Sequence, residues 1–343
     1  MASQAKRRVL LVSDLWQTHP NGPARVIQNL MRELESHGHS VELLEPGQFF
    51  SIPFPLYPEA RLPLFAFFGV RRVILGRAHD DIHLVTEGLL GWFARSVCKK
   101  HGIPFTTAMH GRTDLYATMW LGKRMGDLVR SLFTRFHGAA MLTLVLTNDL
   151  QEFAHSIGIA RTALWPLGVD PLFQTQGTCP TTLEKPVFMY FGRVSSEKSI
   201  EEFLRLGLPG TKLVIGDGPD RKDLEAKYPS ARFVGSQTGE ALVSWLACAD
   251  AFVMPSKTEV FPLVVVESLA AGVPVAAYNV AGPREFIKEG VNGYLDDDLA
   301  RAAKRCLSLS RAACRESVQA YTWKASAERF LELTASARSG TSG

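Results

Sequence analysis

This 343-residue chain is short of several features that narrow a protein's class. Its five cysteines, Cys98, Cys179, Cys248, Cys306 and Cys314, form no C-x-x-C pair and have no histidines at metal-ligand spacing. That excludes a structural zinc site and points to a reduced, cytosolic chain. No uninterrupted apolar run approaches the ~18 residues of a spanning helix. Lys6-Arg7-Arg8 is followed by an apolar run far too short for a signal peptide, so no membrane crossing is expected. The net charge of +4 is too mild to indicate nucleic acid. The first apolar run is not followed by G-x-G-x-x-G, which argues against a dinucleotide cofactor.

The charge that is present is uneven. Residues 1–165 hold 18 Lys/Arg against 13 Asp/Glu, and the remainder 20 against 21. A modest basic bias in one half suits an anionic membrane surface or a phosphorylated ligand.

Apolar runs of the kind found in buried parallel strands recur along the chain. In the first half they are residues 8–13, 40–44, 82–86, 105–109 and 142–147. The second half repeats the scheme at 187–191, 212–215, 232–234, 251–254 and 275–278. Amphipathic helical stretches lie between them, such as Val26 to His37 closed by Gly38. The alternation predicts an α/β protein of two doubly wound Rossmann-like domains, with helices on both sheet faces. At ~100–200 residues per domain the length agrees, and a Pro-, Gly- and Thr-rich linker between Pro166 and Pro186 separates the halves. Two such domains facing a central cleft place ligands at the carboxyl ends of their strands. The apolar segment 62–77 departs from the pattern and ends in basic residues. It reads either as an amphipathic helix that touches lipid or as a core helix of the first domain.

The strongest functional clue is the stretch Pro-Ser-Lys-Thr-Glu-Val-Phe-Pro-Leu-Val-Val-Val-Glu-Ser-Leu-Ala-Ala-Gly, residues 255–272, which holds Glu259 and Glu267 eight residues apart. Glu267 follows three valines and precedes Ser-Leu-Ala-Ala, so it points into the protein or a cleft, and a carboxylate there needs a polar partner. An ionised carboxylate is acceptor-only, and a sugar hydroxyl donates to it naturally. Gly22, ahead of a helix, offers backbone N–H groups to a diphosphate, or belongs to a common Asn-Gly turn. Arg193 and Lys198, in Phe191-Gly192-Arg193…Glu197-Lys198, converge on one phosphate or are two solvated surface charges. Gly216-Asp217-Gly218-Pro219 ends the next strand as a turn. His110 follows a strand and faces the cleft, where it binds a reacting sugar or is structural. Gly282-Pro283-Arg284-Glu285 reads as a turn shaping a loop beside the cleft.

Taken in order, these features resemble a GT-B glycosyltransferase of the large retaining family 4, over most of residues 8–332. The E-x7-E pair, combined with Phe-Gly-Arg and a correctly spaced lysine, carries the resemblance. Trp323 and the helix after it resemble the final helix that crosses back onto the first domain in this fold. The implied organisation is an acceptor-binding domain over 1–166, a nucleotide-sugar-binding domain over 167–321, and the returning helix over 322–338. Within the family, the first domain resembles bacterial sulfoquinovosyl, glucosyl and mannosyl transferases that make glycolipids. The strings are Asp14-Leu-Trp…Asn21-Gly22…Arg25, Pro55-Leu-Tyr-Pro-Glu-Ala-Arg-Leu62, Thr86-Glu-Gly-Leu-Leu-Gly91 and Pro104-Phe-Thr-Thr-Ala-Met-His110.

The resemblance implies roles for individual residues. Glu267 would bind the ribose hydroxyls and Glu259 the donor sugar's. Arg193 and Lys198 would neutralise the leaving diphosphate. Gly22 would contact that diphosphate from the first domain, and His110 would hold the sugar. Gly192, Gly216 and the N–H groups of Phe261 and Leu263 would line the donor site. Pro262 stands where many relatives carry glycine, so it has no N–H to offer, and Gly111 stands where glycolipid-forming relatives carry a bulkier residue. The expected activity is retaining, metal-independent transfer of a hexose from a UDP- or GDP-sugar, with no cofactor, to a lipid or glycolipid acceptor. The expected location is the cytoplasm, in peripheral contact with the inner face of the cytoplasmic membrane. The alternatives are a transferase building a polysaccharide or small glycoside and a catalytically idle nucleotide-sugar binder.

Overall fold

The computed structural model describes residues 6–15, 22–54 and 57–339; the sequence strings that include Trp16, Asn21, Pro55 and Leu56 lie partly outside them. The chain divides into two compact units, one of residues 1–167 with 323–343 and one of 168–322.

The first unit runs β1 (Arg8–Val12), α1 (Gly22–Ser36), β2 (Ser40–Leu44), β3 (Ser51–Phe54), β4 (Tyr57–Pro63), α2 (Phe67–Gly76) and β5 (Asp81–Leu84). It continues through α3 (Leu89–His101), β6 (Thr106–Met109), α4 (Thr113–Leu121), α5 (Lys123–His137), β7 (Leu142–Val145), α6 (Asn148–Ser156) and β8 (Thr162–Leu164). Six strands form one parallel sheet in the order β2-β1-β5-β6-β7-β8. Leu10, Val12, Leu84, Ala94, Val97 and Phe136 pack α2, α3 and α5 against it. In segment 62–77, Ala66, Val70 and Ile74 are core, as the core-helix reading expects, whereas Phe65, Phe68 and Leu75 are exposed.

The second unit runs β9 (Val187–Phe191), α7 (Ile200–Arg205), β10 (Thr211–Ile215), α8 (Arg221–Lys227), β11 (Arg232–Phe233), α9 (Gly239–Cys248) and β12 (Ala251–Met254). Then come α10 (Leu263–Ala270), β13 (Val275–Ala277), α11 (Ala281–Arg284), β14 (Gly293–Leu295), α12 (Leu299–Cys306) and α13 (Arg311–Ser317). Its parallel sheet has the order β11-β10-β9-β12-β13-β14. Met189, Phe252, Val265 and Leu269 belong to one core and Phe188, Val253, Phe203 and Ala302 to another, one on each face. That alternation along single strands is the mark of a doubly wound sheet.

The last helix, α14 (Trp323–Ser339), belongs to the first unit. There the Trp165 indole donates to the Ser326 carbonyl at 3.0 Å and packs at a tilt against Phe330 with ring centres 5.7 Å apart. Arg7 donates to the Leu331 carbonyl at 2.8 Å.

Three strand features differ from the expected pattern. β8 and β14 are three-residue edge strands, too short and too exposed to register as apolar runs. β3 and β4 form an antiparallel hairpin carrying Pro53, Pro58 and Pro63, a composition that argues against strands anywhere but at an edge. The cysteines also require a correction. Cys179 and Cys248 are bonded to one another, fastening the segment before β9 to the end of α9, so the fully reduced chain expected from their scatter is not what the structure holds. Their 69-residue separation leaves no local pattern by which the pair could be found. Cys98, Cys306 and Cys314 are free and buried. Among the described residues no helix is long and apolar enough to cross a membrane.

A polar seam interrupts the first unit's core beneath the ends of β1, β5 and β6. Asp14 is buried and accepts from the N–H groups of Leu90 at 2.7 Å and Gly91 at 3.2 Å, and from Thr86 Oγ1 at 3.0 Å. It thereby caps α3 through space, and Gly88 is required because a Cβ there would lie 2.3 Å from the Asp14 carboxyl carbon. Burial still pushes Asp14 up to about 6, against those hydrogen bonds. His83 is fully buried beside Thr106 Oγ1 at 2.8 Å, and burial pushes it down to about 3. Burial likewise takes His110 down to about 4.

Two outcomes follow from these features. Thiol titration of the denatured, unreduced chain should count three free cysteines; a count of five would remove the Cys179–Cys248 bond. Because His83 and His110 stay neutral when folded, the folded state binds fewer protons than the unfolded one below the ordinary histidine value of 6.5. Stability should be level above that pH and fall on acidification, by up to about 1.4 kcal/mol per pH unit for each histidine. Asp14 has the opposite sign and offsets one of them between about 6 and 3.8. Denaturant midpoints at pH 7, 6.2 and 5 check this, and a midpoint that rises on acidification contradicts it.

Candidate functional site

In the second unit, the loops after β9, β10 and β12 leave the sheet at the same edge because the strands are parallel. The first two are pressed together backbone to backbone. Gly192 donates to the Ile215 carbonyl at 3.0 Å and Val194 to the Asp217 carbonyl at 2.9 Å, so the ladder continues past the strands. A Cβ on Gly216 would lie 1.8 Å from the Gly192 carbonyl oxygen, and both residues have positive φ, +144° and +149°. The clash at Gly216 and the positive φ at both positions favour glycine. The buried Tyr190 hydroxyl donates to the Arg193 carbonyl at 2.6 Å and braces the same loop. A cavity of about 460 Å³ opens beside the Gly-Asp-Gly turn, lined by Asp217, Gly218, Pro219, Arg221, Lys222 and Glu225 among others.

The loop after β12 supplies the carboxylates. Glu259 and Lys198, 61 residues apart, meet directly, with Nζ 2.5 Å from Oε1. Both side chains keep partial solvent access. The buried Ser256 hydroxyl donates to the Lys198 carbonyl at 3.1 Å, joining the two loops a second time. Arg193 lies beside Glu197 at 3.9 Å, a loose pair at the surface. Glu267 is 2% exposed within α10, on the inner side of the protein as its valine-rich surroundings imply. Phe261 packs edge-on against Phe286, with ring centres 4.7 Å apart, and Pro262 accepts from the Val265 N–H as α10 begins. Leu263 is the first residue of that helix.

The segment expected as a Gly282-Pro283-Arg284-Glu285 turn is instead the one-turn helix α11. It presses on the Glu259 loop: a Cβ on Gly282 would lie 2.5 Å from the Glu259 carbonyl oxygen. Of the residues expected around the donor, the structure therefore brings Lys198 to Glu259 and Gly192 to Gly216.

The first unit carries the other two candidates. Gly22 opens α1. His110 follows β6, its ring edge-on to Trp165 at 6.2 Å, and its Nε2 is shielded from solvent without a hydrogen-bond partner among the described residues. Close by in the seam, His137 bridges Thr107 Oγ1 at 2.9 Å and Glu87 Oε1 at 3.1 Å. Glu87 electrostatically opposes the fall in the His110 pKa.

The roles of Glu87, Asp14 and Ser256, and the contact of Gly282 with the Glu259 loop, were not read from the sequence. Glu87 had a usable signal, since it directly follows an apolar strand as His110 does; the contacts of the other three are made through space. Among the described residues no three His, Cys, Asp or Glu side chains are grouped to hold a metal ion.

Comparison with known proteins agrees with this layout. The family described as Glycosyltransferase Family 4 matches residues 20–172, and the one described as Glycosyl transferases group 1 matches residues 185–311. The chain is 28% identical over 376 residues to a sulfoquinovosyl transferase of Arabidopsis thaliana, covering 96% of this chain and 73% of the relative. It is 27% identical over 368 residues to a GDP-mannose-dependent alpha-mannosyltransferase of Corynebacterium glutamicum, covering 95% and 88%. It is 26% identical over 370 residues to a GDP-mannose-dependent alpha-(1-6)-phosphatidylinositol dimannoside mannosyltransferase of Mycobacterium tuberculosis, covering 94% and 95%. Among solved structures, sucrose-phosphate synthase from Thermosynechococcus elongatus superposes with a TM-score of 0.78 at 20% identity, covering 98% of this chain and 100% of that one. With one family match on each half, relatives along nearly its whole length and two Rossmann-like sheets, the chain belongs to the family 4, group 1 glycosyltransferases of GT-B fold.

Proposed function

We propose that this glycosyltransferase moves a hexose from a UDP- or GDP-sugar to a lipid acceptor with retention of configuration. The observation that carries the reading is the Lys198–Glu259 contact in the loops above β9 and β12, with Glu267 buried one helical segment further on. In this reading Glu267 accepts from the ribose hydroxyls. Glu259 accepts from the donor sugar's hydroxyls while it aligns Lys198. An ammonium has three protons, so Lys198 engaged by one carboxylate still has donors for a diphosphate. Arg193 supplies the second cation and Gly22 a backbone N–H. Together they stabilise the charge that develops as the nucleoside diphosphate departs, and no divalent ion is needed for that task.

As the bond from the anomeric carbon to the diphosphate breaks, its electron pair leaves with the phosphate oxygen. That oxygen takes the proton of the acceptor hydroxyl, and the new bond forms on the same face of the sugar. His110, pushed by burial down to about 4, is a neutral imidazole at physiological pH. It positions the sugar by hydrogen bonding rather than by charge. A lipid acceptor is supported by the phosphatidylinositol dimannoside named for one relative and by the exposed Phe65 and Phe68 of segment 62–77. Peripheral contact with a membrane through that segment belongs to the same reading.

Labelled sugar should pass from one of UDP-glucose, UDP-glucuronic acid, UDP-sulfoquinovose or GDP-mannose into diacylglycerol-containing vesicles. Labelling of soluble glycans alone would move the acceptor to a polysaccharide or small glycoside. Glu259→Ala should depress transfer on the order of 10- to 100-fold, the worth of one hydrogen bond to a charged group. Full activity in that variant removes Glu259 from the site. Glu267→Ala should weaken donor binding by a comparable factor, and unchanged affinity in calorimetry contradicts the ribose role.

A further inference from the structure

The α4–α5 hairpin is rigid at its base and uncovered at its tip. At the base, Asp114 is wholly buried and accepts from Arg112 at 2.7 and 2.9 Å and from Arg130 at 2.9 Å. The Arg112 guanidinium also lies over the Phe153 ring at 3.5 Å. Gly126 lets the two helices approach so closely that a Cβ there would lie 1.9 Å from the Thr118 hydroxyl. At the tip, Met119, Trp120 and Leu121 are 64%, 67% and 57% exposed, and Leu128 on α5 is 51% exposed. Folded proteins seldom leave consecutive large apolar side chains in water without a use for them.

Charge says what the surface fits. Lys123 and Arg124 follow directly on Leu121-Gly122, and Arg135 is exposed further along α5. Asp127 is the exposed acid of the hairpin, since Asp114 is buried between two guanidiniums. A tryptophan, other large apolar groups and adjacent basic residues suit the boundary of an anionic bilayer, where rings sit at headgroup depth and cations meet lipid phosphates. The same layer of helices carries a second patch of this chemistry on α2, with Phe68 exposed beside Arg71 and Arg72. α3 links the two patches, through Phe67 against Phe93 and Trp92 against Phe136.

We propose that the α4–α5 hairpin is an insertion element for an anionic lipid surface, with Trp120, Met119 and Leu121 entering the interface and Lys123 and Arg124 meeting lipid phosphates. This places membrane contact on an element outside segment 62–77, and it concerns surface binding rather than acceptor identity.

The test is flotation of the full chain, without nucleotide sugar, on phosphatidylcholine vesicles with and without phosphatidylglycerol. The chain should float only with the anionic vesicles, and added salt should release it. Lys123→Ala with Arg124→Ala should weaken binding on the order of 30-fold, from the worth of two basic residues near an anionic surface. Met119→Ser with Trp120→Ser should abolish flotation at an unchanged thermal midpoint. Quenching by spin-labelled lipid, compared between the wild type and Trp120→Phe, should show a quenched component that belongs to Trp120. Absence of flotation overturns the proposal, as does flotation that ignores the hairpin substitutions. So does a concentration-dependent dimer that the same substitutions dissolve, which would give the tip to a second copy of the chain. Intact vesicle binding with no transfer to lipid would bring down only the acceptor reading; transfer to detergent-dispersed lipid by a hairpin variant that no longer floats would leave both standing.

Discussion

Parallel strand pairing is the constraint on which the rest of the molecule depends. A strand paired in parallel cannot turn straight back; the chain must cross over through a helix before the next strand begins. In each unit that rule sends every strand-to-helix loop out at one edge of the sheet. The polar residues that follow β9, β10 and β12 are thereby neighbours although they are tens of residues apart. The Lys198–Glu259 contact is a product of this geometry, and so is the approach of Gly192 to Gly216. The apolar strands are closely packed inside and supply the rigidity, while the candidate site residues sit on loops whose positions the sheet dictates.

What could be read from the sequence follows the same division. Runs such as Val187–Phe191 and Ala251–Met254 announce buried strands because burial on both faces leaves a continuous apolar signature. Glu267 announces itself because a carboxylate after three valines contradicts its surroundings. The edge strands β8 and β14 escape notice since three half-buried residues carry no period. The β3–β4 hairpin is disguised by its prolines. The Cys179–Cys248 bond, the Asp14 cap on α3 and the Gly282 contact with the Glu259 loop are pairings between distant residues, and one residue type at one position says nothing of its partner.

The seam under β1, β5 and β6 shows how an interior accommodates polar groups without ion pairs at every step. His83 is bonded to Thr106, and separately His137, Thr107 and Thr143 form a second buried set of side-chain hydrogen bonds. The second set reaches the partly exposed Glu87 at the end of β5. Burial holds His83 neutral, so its hydrogen bond to Thr106 adds direction without adding buried charge.

The chain enters the second unit and leaves it at neighbouring points. The Val169 N–H donates to the Tyr321 carbonyl at 3.0 Å, and Val169 bridges in parallel to Thr322. Everything between is thus a closed excursion whose two ends are fastened together, as in an inserted domain. A module of that kind is exchangeable: replacing residues 170–320 with the corresponding stretch of a relative disturbs the path of the first unit's chain at a single place. The second unit is then free to diversify by recombination as well as by point substitution.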